Sequence, residues 1–281
     1  MAGPNFTSSA VDEKGRLFTW GRARADHEVE DEDGLVDEFE GPTDLGYELD
    51  AETEYQATLK RVDALSQDRV VGVALGCDFT LAVTDAGAVF SFGFNHEGRL
   101  GHGSLVSEVQ PRRIEALAQT RRRFVAVAAG DCHAFALTEE GWLNGWGDAE
   151  ANGHGREELT PKRIAALIGQ RVKLVNAQGC ASGAVTEKGE LFTWGESSVR
   201  GNLCHRGPQG TPMRVEGLSG VEVAAVAIGR MHTLAAAADG VVWAFDQRLA
   251  SGLDASGLST SGPVPTPTPI PTLRVRVLNY P

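Results

Sequence analysis

A seven-residue phrase recurs five times along this chain of 281 residues: Gly15-Arg-Leu-Phe-Thr-Trp-Gly21, Gly87-Ala-Val-Phe-Ser-Phe-Gly93, Gly141-Trp-Leu-Asn-Gly-Trp-Gly147, Gly189-Glu-Leu-Phe-Thr-Trp-Gly195 and Gly240-Val-Val-Trp-Ala-Phe-Asp246. The opening glycines stand 72, 54, 48 and 51 residues apart. Inside each phrase apolar residues alternate, as on a strand with a buried face. That alternation at a period of about fifty predicts repeated small sheets, as in a β-propeller or a solenoid. Such architectures are scaffolds whose activity lies in loops that differ between units, so the repeat fixes fold class before function.

The unit is longer than the phrase. Val70-Val-Gly-Val-Ala-Leu-Gly76, Val125-Ala-Val-Ala-Ala-Gly130 and Val223-Ala-Ala-Val-Ala-Ile-Gly229 each end in a glycine eleven residues before a phrase opens, with an alternating run between. Glycine-rich turns and a Pro-x-Arg-Ile-x-Ala-Leu strand follow, at Pro111 to Leu117 and again at Pro161 to Leu167. One unit therefore reads as four short strands, too few to bury two faces without packing on its neighbours. The opening glycine suits a turn with φ > 0 between two strands. The aromatic before the closing glycine (Trp20, Phe92, Trp146, Trp194) reads as a spacer between units, its indole N–H needing an acceptor from a neighbouring loop.

Together the G-x-[LV]-[FY]-[ST]-W-G phrase, the V-x-V-A-x-G-x-x-H-[ST]-x-A-L-T run and the N-x-x-G-x-L-G-x-G turn resemble the regulator of chromosome condensation repeat, over nearly the whole chain. The resemblance implies an all-β propeller, here of about five four-stranded blades in a single domain spanning residues 1–281. The family usually forms seven blades. The chain starts mid-repeat and ends in an alternating strand, 272–281, after a proline-rich stretch, 259–271. That last strand is expected to pair with the first unit and close the ring. In the family's exchange factor, Asp and His of a G-D-x-H turn face a Ran-type GTPase. Here Gly130-Asp131-Cys132-His133 matches in full, Asp78 matches without its His, and Arg230-Met231-His232 carries the His without the Asp. The family's UV-B photoreceptor uses tryptophans in that turn, and none stands there in this chain.

The net charge of −12 has one source. Fourteen acidic residues and no Lys or Arg lie between Asp26 and Glu54, and without them the remainder carries +2. This acidic insertion, 26–54, accounts for the swollen first spacing. It reads as a solvated loop, or as an arm in which Asp31, Glu32, Asp33, Asp37 and Glu38 meet a basic partner such as a small GTPase or a histone. Asp31-x-Asp33-Gly34-x5-Glu40 matches part of a calcium loop, but its first ligand position is Val29.

Little chemistry is visible otherwise. There is no nucleophile elbow, phosphate-binding loop or H-E-x-x-H, so neither an enzyme nor a bound cofactor or metal is expected. His102, His154 and His205 recur in one turn and read as backbone hydrogen-bonders. Cys77, Cys132, Cys180 and Cys204 lack C-x-x-C spacing and read as free thiols. Arg121-Arg122-Arg123 is short for a nucleic-acid patch and reads as a solvated surface. No leader and no 18-residue apolar run is present, so neither export nor membrane insertion is expected, and a monomer in the cytoplasm or nucleus is. Three functions fit: a non-catalytic protein-binding propeller, a guanine-nucleotide exchange factor, and a substrate- or cytoskeleton-binding subunit of a ubiquitin ligase or tubulin-related complex.

Overall fold

The computed structural model describes residues 7–22, 25–30, 36–41, 45–46, 55–196, 203–204, 209–229, 232–245 and 266–275. The repeat phrase forms a strand in all five units, and the turn before it needs its glycine. Gly87 and Gly141 sit at φ 79° and 82°, and a Cβ on Gly87 would come within 2.9 Å of the Arg123 Cα. The left-handed conformation and the close approach both exclude a side chain there.

Five antiparallel blades result. The first holds β1 (Thr7–Val11), β2 (Leu17–Arg22) and β5 (Tyr55–Arg61), with β3 (Ala25–Glu30) and β4 (Val36–Gly41) paired as a separate two-stranded ribbon between β2 and β5. The second runs β6 (Val70–Leu75), β7 (Phe79–Thr84), β8 (Val89–Gly93), β9 (Glu108–Arg113), and the third β10 (Phe124–Ala129), β11 (His133–Thr138), β12 (Leu143–Gly147), β13 (Glu158–Arg163). The fourth is β14 (Val172–Gln178), β15 (Ala181–Thr186), β16 (Leu191–Gly195), β17 (Gln209–Arg214). The fifth is β18 (Val223–Ile228), β19 (Thr233–Ala237), β20 (Val241–Phe245), β21 (Thr268–Arg274). In each of the last four blades the strands pair in chain order, so sequence order is also order from the inner strand outward. The outermost strands carry Pro111, Pro161, Pro212 and Pro269 on the edge, where a missing N–H costs no ladder bond and blocks pairing with another sheet.

The core lies between blades. One cluster joins the first two (Leu17, Val62, Ala82, Phe92), and a second joins the next pair (Leu81, Val89, Phe124, Trp146). Phe135, Leu143, Val172 and Trp194 join the third to the fourth, and Val185, Leu191, Val223 and Phe245 the fourth to the fifth. Five blades in a row have four junctions, and all four are filled. Among the described residues no further cluster joins the fifth blade to the first. Strands β7, β11 and β15, enclosed by neighbours on both sides, are buried along their whole length, whereas β1 and β19 in the terminal blades alternate or open toward solvent.

Three expectations are corrected. Among the described residues the C-terminal strand does not pair with the first unit. It completes the fifth blade, with Val241 opposite Arg274 and Ala244 opposite Thr268. The physical reason is the open outer edge of β20, which the other blades close with a strand of their own unit. The proline-rich stretch is not wholly a linker either, because Thr268 to Pro271 belong to that strand, Pro being tolerated at an edge. The first blade, which the chain enters mid-repeat, shows three strands among the described residues. The acidic insertion, read as a loop, contains the β3–β4 ribbon.

Candidate functional site

Up-and-down connectivity places two sets of loops at one end of the blades. These are the turns between first and second strands, with Asp78 and Asp131, and the long loops between third and fourth strands. The 26–54 insertion is the long loop of the first blade, so it emerges at this same end.

The turns are locked to one another. Cys77 N–H donates to the Asp131 carbonyl (3.3 Å) and Asp131 N–H to the Gly179 carbonyl (2.8 Å), linking three successive blades. Arg99 rivets the first of these links. Only 3% exposed, it donates from Nε to the His96 carbonyl (2.8 Å) and from Nη1 to the carbonyls of Cys77 (2.9 Å) and Asp131 (3.3 Å). Its guanidinium carbon lies 5.9 Å from the ring centroid of Phe79 and 5.5 Å from that of Phe94. The repeat tryptophans tie the long loops in the same manner. Trp146 Nε1 donates to the Arg99 carbonyl and Trp194 Nε1 to the Ala151 carbonyl, both at 2.8 Å, so each indole finds its acceptor on the preceding blade as anticipated.

On this frame sit carboxylates. Asp78 and Asp131 are half-buried in their turns, Asp78 in a left-handed conformation with φ 57°. Glu97, also left-handed at φ 60°, has Oε2 4.0 Å from Arg99 Nη2. Burial raises the Asp148 carboxyl above its ordinary range, and the Glu97 charge adds to the rise. Glu150 is raised by burial first, then by Asp148, Glu196 and Glu97. The charges of Glu97 and Glu196, on the two flanking blades, therefore reach the carboxyls of the third blade. Sequence reasoning passed over Glu97, Arg99, Asp148, Glu150 and Glu196. The available signal was a lone arginine inside a glycine-rich turn. The three thiols of these turns are held protonated, burial and neighbouring carboxylates pushing Cys77 and Cys180 up to about 12, which leaves them poor nucleophiles.

The structure divides the remaining sequence candidates. His133 is 1% exposed and does not reach a partner-facing surface. Its Nε2 lies 2.7 Å from Ser182 Oγ in the next blade, and that hydroxyl gives its one proton to the Ala151 carbonyl (3.0 Å). The imidazole must then donate from Nε2, and burial keeps it neutral, driving its pKa down to about 3. It is an inter-blade strut. His232, in the corresponding turn of the fifth blade, is exposed. Arg230, Asp31, Glu32 and Asp33 lie outside the described residues. Asp37 and Glu38 fall in β4, opposite Val29 and Glu28. His154 Nε2 lies 3.1 Å from the Gly145 carbonyl, a backbone partner as expected, whereas His102 Nε2 lies 3.0 Å from the side-chain hydroxyl of Ser91, and His205 is outside the described residues. Among the described residues no group of three metal-ligating side chains converges, and no helix is long and apolar enough to cross a membrane.

Comparison with known proteins bears on the repeat directly. Family models for the regulator of chromosome condensation (RCC1) repeat match residues 86–137, 188–236 and 124–156. The chain is 30% identical over 273 residues, 94% of its length, to the human E3 ubiquitin-protein ligase HERC2, of which it spans 5%. It is 34% identical over 192 residues, 66% of its length, to the ultraviolet-B receptor UVR8 of Arabidopsis thaliana, of which it spans 43%. Among solved structures, Prp20p from Saccharomyces cerevisiae superposes with a TM-score of 0.68 at 22% identity, over 94% of this chain and 61% of that one. Human WBSCR16 gives 0.71 at 18% identity, over 94% and 65%. Motifs, blades and relatives agree: the chain belongs to the regulator of chromosome condensation repeat family and folds as its propeller.

Proposed function

We propose that this propeller is a non-catalytic protein-binding platform whose acidic end takes a basic protein segment. The observation that carries the reading is the gathering of Glu97, Asp148, Glu150 and Glu196 at one end, with the acidic insertion emerging beside them. Burial and neighbouring charge raise the Asp148 and Glu150 carboxyls, so their charged forms are costly in the free protein, and a cationic partner relieves that cost while steering association. The solved Prp20p structure is described with binding to Gsp1p and to histones, which makes core histones a fitting probe. Wild type should bind immobilised histones in a salt-sensitive manner, and D148N/E150Q should weaken binding several-fold. Equal binding by both proteins would overturn the reading.

Nucleotide exchange on a small GTPase is a second reading, favoured by the half-buried Asp78 and Asp131 at this end and by the similarity to Prp20p. Release of a fluorescent GDP analogue from a Ran-type GTPase tests it. Acceleration lost in Asp131→Ala and His232→Ala supports exchange, and no acceleration removes it. The similarity to HERC2 supports a third, in which the chain recruits substrates for a ligase.

A further inference from the structure

The end of the blades opposite the carboxylates carries the Arg121-Arg122-Arg123 run, and there the geometry points to a docking site for an extended acidic peptide. Trp142 is its centre. The guanidinium carbon of Arg122 lies 3.5 Å from the centroid of its ring and that of Arg163 lies 3.8 Å away. Two planar cations cannot share one face so close to the ring centre, so they cover opposite faces, with their carbons about 7 Å apart. Stacking consumes the flat face of a guanidinium and leaves its in-plane N–H edge, the edge that grips a carboxylate, unspent.

The neighbouring blade shows what that edge is suited to. Arg214, opposite Phe192 in the fourth blade, occupies the register position that Arg163 occupies opposite Asn144 in the third. Arg214 pairs with Glu190 at 3.3 Å, the residue directly after the opening glycine of its phrase. In the third blade that position is Trp142, so the carboxylate is replaced by a ring and Arg163 has no ion pair among the described residues. Arg122 gives Nη1 to Glu140 at 2.8 Å and keeps its other in-plane N–H groups, Arg123 pairs with Glu139 at 3.3 Å, and exposed Arg121 has no ion pair among the described residues. The third blade thus lacks the carboxylate that the fourth sets against this arginine, and a second guanidinium, engaged at one N–H by Glu140, stands on the other face of the same indole. Along an extended chain, side chains on one face recur every two residues, about 6.7 Å. That matches the separation of the two forks, so the ligand is an extended segment with carboxylates at alternate positions.

Fluorescence anisotropy with the full chain and a labelled Thr-Glu-Thr-Glu-Thr-Glu peptide tests this. The alternating peptide should bind more tightly than its Gln counterpart and than Thr-Thr-Thr-Glu-Glu-Glu. Arg163→Gln should weaken it at least five-fold. Arg163→Lys, which keeps the charge and loses the fork, should recover less than half of that loss. Both replacements are at a partly exposed side chain and leave the core intact. Equal binding of alternating and block peptides, or an unchanged affinity in Arg163→Gln, overturns the assignment. So does tighter, Arg163-dependent binding of a phosphoserine peptide or of a DNA duplex.

Discussion

The indole of Trp194 ends on the Ala151 carbonyl of the preceding blade, whereas half-buried Trp20 has no preceding blade among the described residues on which to find an acceptor. Removing the N–H should therefore cost unequally. Trp194→Phe should lose about 1–2 kcal/mol in urea unfolding, the Ala151 carbonyl losing a donor as well as the ring losing volume. Trp20→Phe should stay within about 0.5 kcal/mol, as surface substitutions do. The two sequence phrases are nearly identical, so the difference is one of neighbours. His133 gives a second test at this scale. Its folded pKa of about 3 lies below the unfolded value of about 6.5, so its contribution is complete above about pH 6.5 and is lost as pH falls toward 3. Stability should drop by up to about 1.4 kcal/mol per pH unit across that window, and His133→Asn should flatten the slope. Some slope will remain, because burial also lowers His102, to about 4.

At the scale of elements, β21 shows how an edge selects its strand. With β20 lacking an outer partner inside its own unit, the alternating C-terminal residues pair there despite the Pro residues between them. A chain ending at Pro267 should expose that edge, broaden the thermal transition and scatter light on heating. A single sharp transition at the same temperature would contradict the assignment. The β3–β4 ribbon was not legible for a different reason. Charge dominates its composition and hides the pairing, which sets Asp26 opposite Glu40 and Glu28 opposite Glu38. Like charges directly across a two-stranded ribbon are unfavourable, and such ribbons are marginal alone. Excising residues 25–41 should leave the melting temperature of the blades within about 2 °C and reduce histone binding, a pairing that calorimetry and a binding assay check together.

Over the whole molecule, Glu97, Asp148, Glu150 and Glu196 gather at one end of the blades, and the Arg122–Trp142–Arg163 stack marks the other, where Glu139 and Glu140 pair with Arg123 and Arg122. The raised Asp148 and Glu150 mean that the folded state holds protons more firmly than the unfolded one, so ionising these groups destabilises the fold, and their contribution improves as pH falls through their folded pKa. D148N/E150Q should accordingly melt about 1–2 °C higher than wild type at neutral pH while binding basic protein less well. A lower melting temperature would show that the carboxylates support the fold instead.

What the sequence determined by itself was local. Turn glycines, alternating strands, their recurrence and the aromatic spacers follow from φ/ψ preference and from the need of a small sheet to bury both faces, and each is readable within a dozen residues. The tertiary structure decided which copy of a motif reaches the surface. His133 and His232 occupy the same turn of two blades, yet one is sealed against Ser182 of the following blade and the other is exposed. Arg163 and Arg214 share one register position, yet one meets a carboxylate and the other a tryptophan sandwiched with Arg122. Repeats put equivalent positions in the same place, and the neighbour each one meets, on the next blade for His133 and across its own blade for Arg163, makes them differ.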